Sequence, residues 1–352
     1  MSEDSVRDGI GGEAARGRVS RWGLFLPVAA LVLLVALWTG YWVFMHAQVR
    51  DGLAAWRAAE QAAGRTYACD RETLSGFPFR FELRCTSLTF ADAAAGMQAK
   101  VAGLLAVAQA YEPRHIIVEL SGPAQVDTET GDHATASWTL LEASLQFAST
   151  GLKQVSVIAD GAALDATTRD GIAVKGTAAK LAAHARQRPD QTAVAPFEDI
   201  EIALRADAVS LDDKSDPWTG ALDGLATEVP PLVGEAPDLF RTWQIANGSF
   251  DLTNFSLTDG NTSVSGTGHL APTATGTVSG AFAVGLATAR PPTPDDTPTL
   301  TQQYLALLHT AGGFLGREAK VGGVDGRMVD ITIDDGRVSL GTMQIGVLPP
   351  LF

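Results

Sequence analysis

The chain has 352 residues, 46% of them hydrophobic and 19% charged, and its formal net charge is −14. This composition is too apolar for a disordered chain and too mixed for a membrane protein with several spans. The negative charge argues against a surface that binds nucleic-acid phosphates, so we expect no nucleic-acid partner.

The N-terminal region contains one long apolar segment. Residues 1–21 are polar and rich in glycine, and we expect a disordered tail there. Residues 24–45 contain no Asp, Glu, Lys or Arg, and about 20 apolar residues in a helix span the hydrocarbon of a bilayer. We therefore predict a transmembrane helix at residues 22–45 that contacts the bilayer through residues 24–45.

A cleaved signal peptide is the alternative interpretation of this segment. Its apolar part would be shorter and would end in small residues, whereas this segment ends in the bulky run Tyr41–Met45. Four arginines precede the segment and two follow it closely, which favours a cytoplasmic N-terminus. We expect a retained single span, with the bulk of the chain on the far side of the membrane.

The next region predicts a helical stalk and a disulfide. Residues 46–65 continue the helical pattern, and Gly64 is placed to end the helix. Cys69 and Cys85 are the only cysteines. In an oxidising compartment they would close a local loop, worth about 3 kcal/mol in the chain-entropy model. Two buried free thiols are the alternative; a metal site is less favoured because no histidine lies nearby.

Residues 76–85 alternate between apolar and polar side chains, which predicts a half-buried strand. The residues predicted to share its apolar side are Phe77, Phe79, Phe81, Leu83 and Cys85. Two interpretations stay open for this apolar side. It is ordinary sheet core, or it forms the wall of an apolar groove for a lipid acyl chain.

Residues 66–352 are predicted to be mainly β, an antiparallel sheet of repeated hairpins, with a boundary between two subdomains near 186–198. Short alternating runs recur along this region. Asp-Gly pairs at 170–171, 259–260 and 335–336 are each followed by an alternating run that leads to Gly-Thr. Asp-Gly between such runs is a hairpin signal, because glycine accepts positive φ. Such a sheet would form a groove if it curved.

Two segments interrupt this pattern. Residues 216–243 mix helix-forming residues with proline, and residues 299–315 have an amphipathic helical pattern. We predict that both form short helices that cap the sheet.

Several segments together resemble a bacterial family known only as domain of unknown function 2125. They are an N-terminal span, Cys69, the run Ser75–Arg80, Cys85, the run Tyr111–Pro123 and the C-terminal run Gly346–Phe352. The resemblance implies a bacterial protein, and it carries no assigned activity. The architecture is more distantly similar to AsmA-like proteins, which are anchored envelope proteins associated with lipid transport.

The residues do not form a recognisable catalytic or metal-binding pattern. The six histidines are scattered, without the spacing of a metal-binding pair. Residues 266–271 match G-x-G-x-x-A, but Pro272 and a Thr/Gly-rich run follow instead of the helix that a dinucleotide site requires. Adjacent aspartates on a strand face opposite sides, so they are poor acid–base pairs. We expect no metal, no cofactor and no catalysis.

These expectations lead to three functional hypotheses. The first is a single-pass protein of the bacterial inner membrane, N-terminus in the cytoplasm and bulk in the periplasm, that binds or transports lipid or maintains the envelope. The second is a structural scaffold or partner-binding subunit among other envelope proteins. The third, less favoured, is an anchored hydrolase.

Overall fold

The computed structural model describes residues 22–148, 151–189, 196–211, 216–230, 236–288, 313 and 316–351. The chain divides into two compact units, Met1–Gly52 and Leu53–Phe352. The described residues form two helices and one 17-stranded antiparallel sheet, which confirms the predicted mainly β class.

The first helix, α1, extends without a break over Trp22–Ala62. An 18-residue stretch within Phe25–Ala62 has a mean hydropathy of 2.1, so this part of the helix is long and apolar enough to cross a membrane; a signal sequence has the same properties. The helix ends where predicted, because Gly64 adopts a φ of +80° that favours glycine after a helix. The predicted tail at residues 1–21 lies outside the described residues.

The strands follow in chain order. The first nine are β1 Arg65–Ser75, β2 Arg80–Asp92, β3 Met97–Gln109, β4 Glu112–Thr128, β5 His133–Ser137, β6 Leu140–Phe147, β7 Leu152–Thr167, β8 Ala173–Gln187 and β9 Glu198–Val209. The remaining eight are β10 Trp218–Val229, β11 Ser249–Thr258, β12 Thr262–Pro272, β13 Val278–Thr288, β14 Arg317–Val321, β15 Val324–Asp334, β16 Arg337–Leu340 and β17 Met343–Val347.

Most strands pair with their neighbours in sequence, so the sheet is a meander. The strands β5 and β6 together occupy one position between β4 and β7. Trp138 lies in the gap between them and donates its indole N–H to the Leu120 carbonyl at 2.7 Å. Among the last strands of the chain, β15 pairs with β13 on one side and with β14 and β16 on the other.

The second helix, α2, spans Ala236–Ile245 between β10 and β11. Its Trp243 donates the indole N–H to the Thr227 carbonyl at 2.7 Å, which fixes the helix against the end of β10. The prediction of helices throughout 216–243 was therefore half wrong, since Trp218–Val229 is strand β10. Alanine, leucine and threonine in this run fit either structure, and pairing with β9 and β11 decides in favour of the strand.

The three Asp-Gly pairs lie in turns between consecutive strands, as predicted. Gly171, Gly260 and Gly336 each adopt positive φ, between +78° and +87°. The Gly-Thr pairs do not end their strands in two cases, because β8 continues past Gly176 and β12 past Gly266.

Two other predictions concern residues 299–315 and the boundary near 186–198. The helix predicted at 299–315 lies outside the described residues, apart from Gly313. Across the boundary predicted near 186–198, β8 and β9 pair directly, with Gln187 opposite Ile200. The sheet is thus continuous there, and a division into subdomains stays a prediction.

Candidate functional site

The sheet has one apolar face that can be followed from strand to strand. Residues directly opposite each other in an antiparallel pair point to the same side of the sheet. Starting from Leu83, the pairing leads through one row of residues on twelve strands. The row is Leu83, Ala106, Val118, Ala143, Val157, Ala183, Leu204, Leu222, Phe255, Gly266, Val284 and Val329.

A second row lies beside the first on the same side. It consists of Phe81, Ala108, Ile116, Leu145, Val155, Ala185, Ile202, Gly224, Leu252, Gly268, Phe282, Ile331 and Leu340. Every member of both rows is apolar or glycine. We call these two rows the apolar face. Eleven strand spacings of about 4.8 Å give it a length of roughly 50 Å along the sheet.

Two glycines of the apolar face make room for aromatic rings. A Cβ atom at Gly268 would lie 2.1 Å from the ring of Phe282, its partner on β13. A Cβ atom at Gly224 would lie 2.4 Å from the ring of Phe250. Each ring therefore lies across a glycine of the neighbouring strand, an arrangement that covers the backbone with apolar surface.

On the opposite face of the sheet, the strands β8, β9 and β10 carry charged pairs. On β9 and β10, Arg205 contacts Asp223 at 2.6 Å, and on β8 and β9, Arg186 contacts Glu201 at 2.6 Å. The Arg205 guanidinium, followed by the Asn254 amide, lowers the pKa of the Asp223 carboxyl. On these three strands the sheet therefore has an apolar side and a polar side.

The apolar face is covered at its first strands. Leu53–Ala62 form the last part of α1, where the rings of Trp56 and Tyr67 lie 4.7 Å apart and those of Tyr67 and Phe90 lie 4.9 Å apart. Phe81 on β2 is only 4% exposed. Burial under neighbouring groups raises the pKa of the Tyr67 hydroxyl, and the negative charge of Glu60 adds to this effect.

The middle strands differ from this end. Leu181 on β8 is 38% exposed and Leu204 on β9 is 42% exposed. Large aliphatic side chains in a core are almost fully buried. The apolar face is thus covered at β1 and β2 and open at β8 and β9.

A cavity adjoins the apolar face near its other end. It has a volume of about 460 Å³ and is lined by Val264, Val284, Leu286 and Val329, with Arg327 among its polar groups. Val284 and Val329 of its lining belong to the first row, and Glu318 and Asp325 lie in the lining together with Arg327. The cavity is thus bounded by both apolar and charged side chains.

The structure confirms the predicted disulfide. Cys69 and Cys85 are bonded, with their Cα atoms 5.6 Å apart. The bond joins β1 to β2 and leaves no free cysteine in the chain. It lies at the covered end of the apolar face, where Cys85 is buried.

The predicted phenylalanine stripe is divided between a turn and a strand. Phe81 and Leu83 lie on the apolar face as expected. Phe77 and Phe79 lie in the turn before β2, and the prediction of one strand from residue 76 was wrong there. The reason is Gly76, which adopts a φ of +112° and accepts a backbone hydrogen bond from Arg80 at 3.1 Å, so that the chain reverses. Use of the stripe as a groove stays a prediction.

Histidine, cysteine, aspartate and glutamate are the side chains that could hold a metal ion. No cluster of three or more His, Cys, Asp and Glu side chains suited to a metal occurs among the described residues. His133 contacts Asp127 and His269 contacts Asp251, each at 2.6 Å and each on an exposed surface. Residues 266–271 lie within β12, so the G-x-G-x-x-A motif opens no helix.

Comparison with known proteins identifies the family. The family model described as an uncharacterized protein conserved in bacteria, DUF2125, matches residues 42–349. The chain belongs to this family. The match begins within α1 and includes every strand, so the apolar face lies wholly within the DUF2125 region. No curated protein and no solved structure matches the chain. The more distant similarity to AsmA-like proteins stays a prediction.

Proposed function

We propose that this DUF2125 protein is a single-pass protein of the bacterial inner membrane whose apolar face binds lipid acyl chains in the periplasm, without catalysis. The observation that carries the proposal is the pair of unbroken apolar rows, which continue over twelve strands and are open at β8 and β9. An exposed apolar strip of this kind marks an interaction site rather than a core.

The chemistry of an acyl chain fits the apolar face. Removing hydrocarbon from water is favourable by about 25 cal/mol per Å² of buried apolar area, and the gain does not depend on specific polar contacts. The strip is roughly 50 Å long, whereas the hydrocarbon core of a whole bilayer is about 30 Å thick. Because its first strands are covered, an acyl chain would lie on the open part of the strip around β8 and β9.

The location in the proposal is supported by two features of the chain. The apolar helix α1 is long enough to cross a membrane. The Cys69–Cys85 disulfide is the kind of bond that persists in the bacterial periplasm and is rare in the cytosol. Both fit an N-terminus in the cytoplasm and a sheet in the periplasm.

Lipid labelling tests the proposal. The full-length protein would be reconstituted in vesicles that contain a phospholipid with a photoreactive diazirine in its acyl chain, and labelled peptides would be mapped by mass spectrometry. Label on peptides of α1 would show that the anchor contacts the bilayer. The proposal predicts additional label on peptides of β8 and β9.

A matched pair of variants makes this test specific. Leu181→Gln combined with Leu204→Gln places amides on the open part of the apolar face, and we expect the label on β8 and β9 to fall. Lys180→Gln is the control, because Lys180 is exposed on the polar side of the same strand. Label confined to α1 in the unmodified protein would contradict the proposal while leaving the anchor intact.

A scaffold role is the second candidate, and the edge strand β17 supports it. Among the described residues, β17 pairs only with β16, and its Met343, Ile345 and Val347 are exposed. An exposed apolar edge strand can accept a further strand from a partner. A defined complex with another envelope protein that is lost in Ile345→Pro, with β8 and β9 unlabelled by lipid, would favour this role.

A further inference from the structure

A cluster of exposed aromatic side chains lies in the turns that join β1 to β2 and β3 to β4. Phe77 and Phe79 in the turn between β1 and β2 are 55% and 65% exposed, and Tyr111 in the turn between β3 and β4 is 66% exposed. Because β2 and β3 are antiparallel, these two turns lie at the same end of the sheet. We call Phe77, Phe79 and Tyr111 the aromatic tip.

The backbone beneath the aromatic tip is firmly held. The Ala110 N–H donates to the Phe79 carbonyl at 2.8 Å and joins the two turns. Ala110 itself is completely buried. A Cβ atom at Gly76 would lie 2.6 Å from the Arg80 carbonyl oxygen, so only glycine fits the first turn. The rings are thus presented to solvent by a fixed backbone.

The charge beside the aromatic tip differs from that of the whole chain. Arg80, Arg84 and Arg114 lie next to it, against Glu82 and Glu112. Glu82 is buried between the two arginines of its own strand, with Arg80 at 2.8 Å and Arg84 at 2.5 Å. Within three residues of Phe79 or Tyr111 lie Arg80 and Arg114 together with Glu82 and Glu112. The surroundings of the aromatic tip are thus balanced in charge, in a chain whose net charge is −14.

The chain enters the sheet region from this same end. Glu60 of α1 contacts Arg65 at the start of β1, whereas Arg57 contacts Glu72 near the end of β1. Going back along the helix from Ala62 towards Leu53 thus leads towards Ser75, the residue before the first turn of the aromatic tip. Within Leu53–Phe352, the N-terminal entry and the aromatic tip point in the same direction.

We propose that the aromatic tip inserts into the interfacial layer of the lipid bilayer that α1 crosses. Tyrosine is enriched at membrane–water interfaces, and segments that lie in the interface bury phenylalanine while presenting basic residues. Arginine is attracted to anionic lipid headgroups. Phe79 is two residues from Phe81, where the second row of the apolar face begins. Insertion there would place the covered end of the apolar face beside the lipid headgroups. This inference rests on the proposed anchoring by α1 and does not require lipid binding at β8 and β9.

Site-specific photocrosslinking of the full-length protein tests it. Photoreactive p-benzoylphenylalanine would replace Phe79 or Tyr111 in protein reconstituted in vesicles of phosphatidylethanolamine and phosphatidylglycerol. Ile172 is the matched control, since it is 61% exposed in a turn at the opposite end of the sheet. Replacement of Phe44 in α1 is the positive control for anchoring.

We expect phospholipid adducts at positions 44, 79 and 111, and about tenfold less adduct at position 172, a preference of roughly 1.4 kcal/mol. If position 44 forms phospholipid adducts but positions 79 and 111 form no more than position 172, the insertion of the aromatic tip is contradicted and the anchoring by α1 is not. No adduct at position 44 would overturn the anchoring as well.

Two further outcomes would also overturn the inference. Adducts at positions 79 and 111 to another protein in native membranes, with none to lipid, would assign the aromatic tip to a protein partner. Lipid adducts at position 79 that disappear in the Leu181→Gln, Leu204→Gln variant would show a lipid held by the apolar face. An inserted aromatic tip keeps its adducts in that variant, because its contact is with the bilayer.

Discussion

The apolar face is the same surface at β2 and at β9, yet its side chains have different surroundings at the two places. Phe81 and Leu204 both belong to unbroken apolar rows. Phe81 lies between Arg80 and Glu82, and Leu204 lies between Ala203 and Arg205. Phe81 is buried, four residues along β2 from the disulfide-bonded Cys85, whereas Leu204 is exposed. An alternating strand shows which side is apolar; whether that side is core or binding surface depends on what lies over it.

Truncation of one side chain at each place gives the largest expected difference. Phe81→Ala removes a buried ring and should lower the free energy of unfolding by about 3–5 kcal/mol. Leu204→Ala removes a half-exposed side chain and should cost about 1 kcal/mol, since less apolar area returns to water. Chemical denaturation of the full-length protein measures both, with Phe79→Ala as an exposed aromatic control. Equal losses for Phe81→Ala and Leu204→Ala would show that the middle of the face is core.

Removal of the disulfide should weaken the covered end alone. Cys69→Ala combined with Cys85→Ala should lower the free energy of unfolding by about 2–4 kcal/mol, because the loop between them is no longer closed. Lipid labelling of β8 and β9 should be retained, since those strands lie far from the bond along the sheet. Non-reducing peptide mapping checks the bond in the unmodified protein, and free thiols in protein taken from cells would contradict its structural role.

The pH dependence of stability that Tyr67 causes is the smallest expected effect. It shows directly whether Tyr67 is shielded from water beside Trp56 of α1. Burial raises its pKa in the folded protein, so the folded state holds the proton more tightly than the unfolded state does. The resulting stability is present below the ordinary tyrosine value of about 10 and is lost as the pH rises through the folded pKa. Tyr67→Phe keeps the ring contact with Trp56 and removes this titration.

Alkaline unfolding therefore distinguishes the two proteins. Above about pH 10 the unmodified protein should lose slightly more stability than Tyr67→Phe does. The ultraviolet difference spectrum between them should show the Tyr67 phenolate forming above this pH. A Tyr67 titration at or below the ordinary tyrosine value would mean that its surroundings are not covered.

Local features of the sequence predicted much of this fold. Alternation and Asp-Gly pairs predicted an antiparallel sheet of hairpins, and the positive φ of Gly171 and Gly336 shows why that signal works. Two cysteines near a candidate span predicted the disulfide. These features depend on residues close together in the chain.

Errors arose where distant or competing contacts decide the structure. Residues 218–229 have the composition of either a helix or a strand, and only their neighbours β9 and β11 settle the choice. At Phe77 and Phe79 the alternation continued through a turn, because the left-handed conformation of Gly76 reverses the chain. Which part of the apolar face is covered depends on α1 and on the order of the whole sheet, which alternation does not encode.

Photocrosslinking at two adjacent residues of β9 tests the central claim most directly. Leu204 lies on the open part of the apolar face, and Arg205 lies on the polar face, where it contacts Asp223. With p-benzoylphenylalanine at either position of the full-length protein in vesicles, lipid binding by the apolar face predicts phospholipid adducts at position 204 and few at position 205. Equal adducts at both positions, or none at position 204, would contradict it.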